Sequence, residues 1–353
     1  MKLISVSAVI LTAALFVSSC TKSEDNELAR FTNGVFITNE GGFNGNNGTI
    51  SFYNPSSGKI QNDIFRTANS RELGDVVQSM AIGNKKGYVV VNNSAKVEAV
   101  DMETFRSTGT IQAGFPRHFA VIDDSTGFLT NGTVPGELLV VDLNSFIVRD
   151  TITVGAWPEN LIMAGENMWV TNGNYGYDST VSIISTKSYE VIKTIVVGDG
   201  PVDLTKDANG DIWVLCQGKV VYDADFTTIL SETDSRLVKV GGNDFKVKAS
   251  IATGKTGDGF NPVHLAVNAD GTILYVVESD GIYVMDITEN KMPAEPLISG
   301  SFNGVEINPH NGNIYCMKST GYNSAGTLQI YTPDGSMINE VTAGVAPNGA
   351  VFE

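Results

Sequence analysis

The chain has 353 residues, 42% hydrophobic, and its 39 Asp and Glu outnumber 23 Lys and Arg for a formal net charge of −16. With no basic cluster to interrupt that acidity, nucleic acid and an anionic membrane surface are excluded as natural partners, because like charges repel. The length and apolar share suffice for a sizeable core, and the chain reads as globular.

The first residues read as targeting rather than structure. Met1-Lys2 is a basic start, and Leu3 to Val17 is an apolar run too short for a comfortable membrane span. Val17-Ser18-Ser19-Cys20 places small residues before a Cys and resembles the lipobox of bacterial lipoproteins. The resemblance implies a signal peptide over 1–19 and a lipid on Cys20, against an ordinary secretory signal with an incidental Cys. Residues 20–32, beginning Thr21-Lys22-Ser23-Glu24-Asp25 after the Cys, read as a flexible acidic tether. An acidic stretch at that place is similar to the surface-export signal of Bacteroidetes lipoproteins.

From residue 33 onward one short turn keeps returning. It reads Gly114-Phe115-Pro116-Arg117-His118, Gly155-Ala156-Trp157-Pro158-Glu159-Asn160, Gly198-Asp199-Gly200-Pro201-Val202-Asp203, Gly259-Phe260-Asn261-Pro262-Val263-His264 and Gly344-Val345-Ala346-Pro347-Asn348-Gly349. Degenerate copies at Gly74-Asp75-Val76-Val77 and Gly300-Ser301-Phe302-Asn303 keep the Gly and lose the Pro. Taking Val77, Pro116, Pro158, Pro201, Pro262, Asn303 and Pro347 as register marks gives seven units of about 40 residues with one longer gap. Each turn is followed by short Gly-punctuated apolar stretches with no helical period, such as Tyr88-Val89-Val90-Val91 and Val97-Glu98-Ala99-Val100-Asp101. Four such strands per unit predict an all-β chain: a seven-bladed β-propeller over 33–353, with four antiparallel strands per blade. The last mark has only one strand behind it, and the first β segment, from Gly34 to Ile64-Phe65, has three strands with none before it. An open ring would leave strand edges unpaired, so the C-terminal strand is expected to complete the N-terminal blade. Cys216 and Cys316 fall on second strands two blades apart, too far to bridge, and are expected as buried free thiols. The long gap holds an insertion over Gln217 to Asp234, read either as a flap over a binding face or as a hairpin packed on its own blade.

Propeller geometry sorts the loops by face. The recurring turns and the loops between second and third strands share one face and supply Phe43, Asn92, Phe115, Asn131, Trp157, Asn172, Tyr175, Tyr177, Phe260, Phe302 and Tyr322. Aromatic and amide groups without charge suit a large, flat ligand of mixed polarity, although Asn and Gly also serve turns and aromatics also plug gaps between blades. Two residues past each mark a side chain should face the central channel: Ser79, His118, Asn160, Asp203, His264, Val305 and Gly349. The nearly opposed His118 and His264 could ligate a metal or haem-like iron, or simply hold channel water. His310 reads as a turn residue on the other face. No hydrolase elbow, phosphate loop or zinc-protease motif occurs, so no enzyme, cofactor or resident metal is expected.

The stretch Asn39-Glu40-Gly41-Gly42-Phe43, followed by Leu73-Gly74-Asp75-Val76-Val77-Gln78-Ser79-Met80 and Gly87-Tyr88-Val89-Val90-Val91-Asn92-Asn93-Ser94, resembles the start of a family of Bacteroidetes propeller lipoproteins. These are similar to YncE-type seven-bladed propellers and include BtuG-type surface proteins that capture cobalamin. The resemblance spans residues 33 to 353. It implies a lipid-anchored protein at the outer-membrane surface, monomeric apart from its transporter. Such a protein would bind a corrinoid without catalysis and pass it to a TonB-dependent transporter. A protein–protein scaffold is the second reading, and a metal or haem protein using His118 and His264 the third.

Overall fold

A computed structural model describes residues 31–255 and 264–353. The expected signal peptide, Cys20 and all but the end of the tether lie outside the described residues, as do Phe260 and Pro262. Seven four-stranded antiparallel sheets form, in chain order. In the first blade an inner strand Val77–Gly83 pairs with Lys86–Val91, then Lys96–Asp101, then Ser107–Gln112 at the outer edge. The second to sixth blades repeat this order, with inner strands Pro116–Val121, Pro158–Ala164, Pro201–Lys206, Leu265–Val267 and Gly304–Ile307. The closing blade is built from both ends of the chain: Pro347–Phe352 is its inner strand, paired Val35↔Phe352 and Ile37↔Ala350 with Val35–Asn39. The seven-bladed ring and its closure stand as the repeat predicts.

Each second strand is almost wholly buried, because its two faces meet the neighbouring blades. Tyr88 to Val91, Thr126 to Asn131 and Ile212 to Cys216 are examples. The apolar layers between blades form separate clusters, and Cys216 and Cys316 sit within two of them as free thiols. A second recurring device seals these layers. Between third and fourth strands an aromatic residue adopts a left-handed conformation: Phe105, Phe146, Tyr189 and Phe245, with φ of 56, 58, 56 and 57°. In each, the backbone N–H bonds to the carbonyl four residues earlier, at 2.8 to 2.9 Å, which closes a tight turn and throws the ring back toward the preceding blade. Phe245 meets Trp169 edge-on at 5.7 Å, Tyr189 meets Phe128 at 5.7 Å, and Phe105 stacks on Phe36 at 5.4 Å. Phe146 lies over Gly109, where a Cβ would come within 2.2 Å of the ring.

Three details differ from the sequence reading. Ile64–Asn69 is a short helix rather than strand, and its buried Ile64 and Phe65 dock into the layer around Phe105. Phe31, counted in the tether, is buried against Phe52 and Phe105. In the sixth blade the inner strand starts at Gly304, not Asn303. Its pairing with the second strand has no register shift, unlike that of the blades beginning at Val77, Pro116, Pro158 and Pro201, and Val305 turns into the core while Glu306 takes the channel position.

Candidate functional site

The inner strands do not run straight. Their pairing with the second strands shifts between Val77 and Ser79, Pro116 and Phe119, Pro158 and Leu161, and Pro201 and Asp203. A bulge of this kind sends two successive side chains to the same side. Both residues after the mark therefore face the channel: Gln78 with Ser79, Arg117 with His118, and Glu159 with Asn160. The freed backbone groups are satisfied locally. Thr130 and Thr171 hydroxyls accept from the N–H groups of His118 and Asn160, at 2.9 and 3.0 Å.

These side chains line a cavity of about 580 Å³ on the axis, within the range of small-molecule sites. It opens on the face that carries the recurring turns, since Tyr175, Gln217 and Tyr322 from second-to-third-strand loops also line it. Around its wall, polar side chains cross from blade to blade. Asn348 Nδ2 donates to the Val77 and Gln78 carbonyls, Ser79 Oγ to the Arg117 carbonyl at 2.8 Å, and His118 Nδ1 to the Glu159 carbonyl at 3.1 Å. Asn160 Nδ2 donates to Asp203 Oδ1 at 2.6 Å, and Asp203 Oδ2 accepts from Leu265 N–H at 2.9 Å. The channel positions are thus staples between blades as well as cavity wall.

Charge on the wall is uneven. The Arg117 guanidinium is clamped by Glu159 at 2.6 Å and donates to Gln78 Oε1 at 2.8 Å. Burial pushes the Glu159 carboxyl up, and Arg117 offsets part of that. Burial likewise raises Asp203 and depresses His264, whose Nδ1 stands 3.8 Å from Asp203 Oδ2. His118 is driven down to about 3 by burial and by the neighbouring Arg117, so its ring is neutral at physiological pH. Glu306 is pushed up to about 8 by burial and by repulsion from Asp203. Among the described residues no group of three or more His, Cys, Asp and Glu is placed to hold a metal ion. His118 and His264 therefore stand as wall residues without a supporting donor set.

The aromatic residues divide. Phe115, Trp157 and Tyr175 form a continuous array beside the mouth, with ring centroids 5.9 and 5.3 Å apart. Phe115, Tyr175, Tyr177, Tyr322 and Phe43 are 48 to 72% exposed. Lys219 Nζ lies 4.3 Å over the Tyr177 ring. Phe302 is only 2% exposed and belongs to the layer between the fifth and sixth blades, not to the face. Asn131 and Asn172 are also interior: Asn131 binds Phe115 N–H and Glu137, and Asn172 binds the Thr180 and Ser182 hydroxyls. Asn92 reaches the Pro116 carbonyl at 2.9 Å and ties two blades together. These amides serve turn and blade geometry, which a loop position alone does not distinguish from a binding role. The residues missed are Gln78, Arg117, Glu159 and Glu306. The signal for the first three was their place directly after the mark, unreadable without the bulge.

The insertion is a hairpin, Val220–Tyr222 with Ile229–Glu232. Its base is fastened by Thr233 Oγ1 to Asp199 at 3.0 Å, and Gln217 at that base lines the cavity. Its outer part leaves Phe226 80% and Leu230 64% exposed, and neither residue lines the cavity.

A family model described as a domain of unknown function (DUF5074) matches residues 33–324. The chain belongs to this family. Comparison with curated proteins gives no match. Among solved structures it is similar to a quinoprotein alcohol dehydrogenase-like protein from Bacteroides thetaiotaomicron, at 15% identity and a TM-score of 0.69, covering 92% of this chain and 79% of that one. It is also similar to hydrazine synthase of Kuenenia stuttgartiensis, at 14% and 0.63 over 84% and 95% of the two chains. The WD40 domain of Neurospora crassa Pan2 is similar at 9% and 0.53 over 78% and 81%. At these identities the likeness is one of fold.

Proposed function

We propose that this DUF5074 propeller is a non-catalytic receptor. It captures a bulky amphipathic ligand of the corrinoid class on its aromatic face and passes it to a TonB-dependent transporter, while a lipid on Cys20 holds it at the outer-membrane surface. The observation that carries the reading is the axial cavity opening beside the Phe115–Trp157–Tyr175 array. Rigid rings supply apolar area at little entropic cost, and the wall supplies Asn160, Gln217 and Asn348 for polar groups. The corrinoid class itself rests on the resemblance of the segments around Phe43, Val77 and Val90 to cobalamin-capture propellers.

Calorimetric titration of residues 21–353, which contain every described blade, with cyanocobalamin and cobinamide tests it. One-to-one binding is expected. Trp157→Ala or Tyr175→Ala should then weaken it by about 30-fold, the cost of on the order of 2 kcal/mol typical of a buried aromatic anchor. No heat and no rise in melting temperature at high ligand would remove the corrinoid. The scaffold reading, which the exposed Phe226 and Leu230 favour, would then take first place.

A further inference from the structure

Most buried carboxylates of this protein have a cation beside them. Glu98 lies 2.6 Å from Arg71 and 2.8 Å from Lys96, Asp211 lies 2.6 Å from Lys248, and Asp207 lies 3.1 Å from Lys239. On the cavity wall Glu159 has Arg117. Asp75, Asp203 and Glu278 have no Lys or Arg partner among the described residues but accept hydrogen bonds instead. Glu306 lines the cavity from the sixth blade and has neither a hydrogen bond nor an ion pair among the described residues. Arg117, the one Lys or Arg among the described residues lining the cavity, is occupied by Glu159 and Gln78. Asp203, whose charge repels that of Glu306, already accepts from Asn160, Leu204 N–H and Leu265 N–H.

We propose that the cavity wall at Glu306 is a subsite for a primary ammonium group, carried by an alkylamine or by an amino substituent of a larger ligand. Glu306 is its ion-pair partner, Asp203 a second negative charge, and Tyr175 and Tyr322 line the route taken by the alkyl part. A carboxyl sunk in a cavity without a cation pays for desolvation and, here, for repulsion by Asp203. The carboxyl answers by holding its proton, and Glu306 is pushed up to about 8. An ammonium ion replaces that proton and leaves the cavity charge unchanged. A metal ion is a poorer occupant, because no three ligating side chains converge among the described residues. The other titratable groups on the wall are Asp203 and His264 from the fourth and fifth blades, His118, the Arg117–Glu159 pair, and the phenols of Tyr175 and Tyr322, both held above their usual range. Burial drives His118 down to about 3, so that ring adds no competing positive charge, and burial depresses His264 as well.

This subsite does not depend on the corrinoid reading, and the two fail separately. The probe is n-butylammonium chloride, followed by calorimetry and thermal shift on the purified protein at pH 6, 7 and 8.5, with n-butanol and sodium chloride as matched controls. Saturable binding of n-butylammonium alone is expected. It should strengthen by about tenfold per pH unit until Glu306 ionises by itself, with proton release seen as a dependence of the heat on buffer. Glu306→Gln should abolish the pH dependence and weaken binding at pH 8.5 at least about tenfold, since its amide cannot pair with the charge. Glu278→Gln, at a part-buried carboxyl outside the cavity, should bind as wild type. Binding no tighter than n-butanol, an affinity flat from pH 6 to 8, or an unchanged profile in Glu306→Gln would each overturn the proposal. The wild-type profile decides even where Glu306→Gln fails to fold.

Discussion

Glu306 also carries a consequence for folding. Its carboxyl is pushed up to about 8 in the folded protein, against 4.5 for the ordinary side chain. An acid whose folded value is raised binds its proton more tightly when folded. Its contribution is therefore fully present below pH 4.5 and is lost as pH climbs through 8. The loss is on the order of a few kcal/mol, discounted for the solvent that reaches the cavity. Glu306→Gln removes the titration, so denaturant unfolding of the variant between pH 5 and 9 should show a shallower fall than wild type. A slope identical to wild type would place the titration elsewhere. Arg117 behaves in the opposite sense: Arg117→Ala leaves Glu159 buried without its cation, which should cost about 3–5 kcal/mol near neutral pH. The double variant Arg117→Met with Glu159→Leu should recover most of that, and a further loss in the double variant would refute the pairing argument. At this scale the sequence was only half legible. His118 and His264 were placed in the channel by counting from the Pro of the turn. Arg117 and Glu159 were not, because a period of two assigns adjacent residues to opposite faces and the bulge cancels that rule. Glu306 escaped by a single residue, since the sixth blade pairs without the bulge on which the count from the other marks depends.

At the scale of elements, the blades are held by two kinds of link: polar staples at the channel and left-handed aromatic corners between third and fourth strands. The corners repeat as visibly as the Pro turn, with Phe105, Phe146, Tyr189 and Phe245 each four residues after the position whose carbonyl they bind. Their conformation could not be read from sequence, because aromatic residues seldom adopt positive φ and tertiary packing overrides that preference. Phe146 is the sharpest test, since its ring fills the space over Gly109. Phe146→Ala should destabilise by about 3 kcal/mol, the low end for a Phe truncation because the ring is only partly buried, through loss of the ring and the void left between blades. Gly109→Val should also destabilise, because its Cβ has no room while the ring stays. Combining the two should cost less than the sum of the single changes, as for any pair in contact. Strict additivity, measured by urea unfolding, would mean that the ring and the glycine do not share that space. The inserted hairpin was legible as an extra length with apolar residues. Its projecting form was not, because nothing in a sequence says which way a loop leaves its blade.

For the whole molecule the decisive feature is that the two ends of the folded unit share one sheet. Pro347–Phe352 lies between Val35–Asn39 and the channel, Glu353 N–H donates to the Gly34 carbonyl at 3.2 Å, and Asn348 staples the closing blade to the first. This was the most legible part of the chain, because strand count alone leaves three strands at one end and one at the other, and an unpaired edge is costly. Closure implies that the ring has no privileged starting point. A circular permutant joining Glu353 to Phe31 through about two to four turn residues keeps Phe31 in its buried layer and continues an existing antiparallel pair. Opening that permutant at Gly165, an exposed turn where even a Cβ would meet nothing within 4 Å, breaks no packing. It should remain monomeric and unfold in a single transition, with a melting temperature within a few degrees of the parent. Removal of residues 347–353 from the ordinary chain should do the reverse. It bares the Val35–Asn39 edge and the first blade's inner face, and the product should self-associate and lose the sharp transition, as read by light scattering and calorimetry. A truncated chain that stays monomeric and cooperative would show that the blades hold together without the closing strand, and that the cooperativity of the ring has another source.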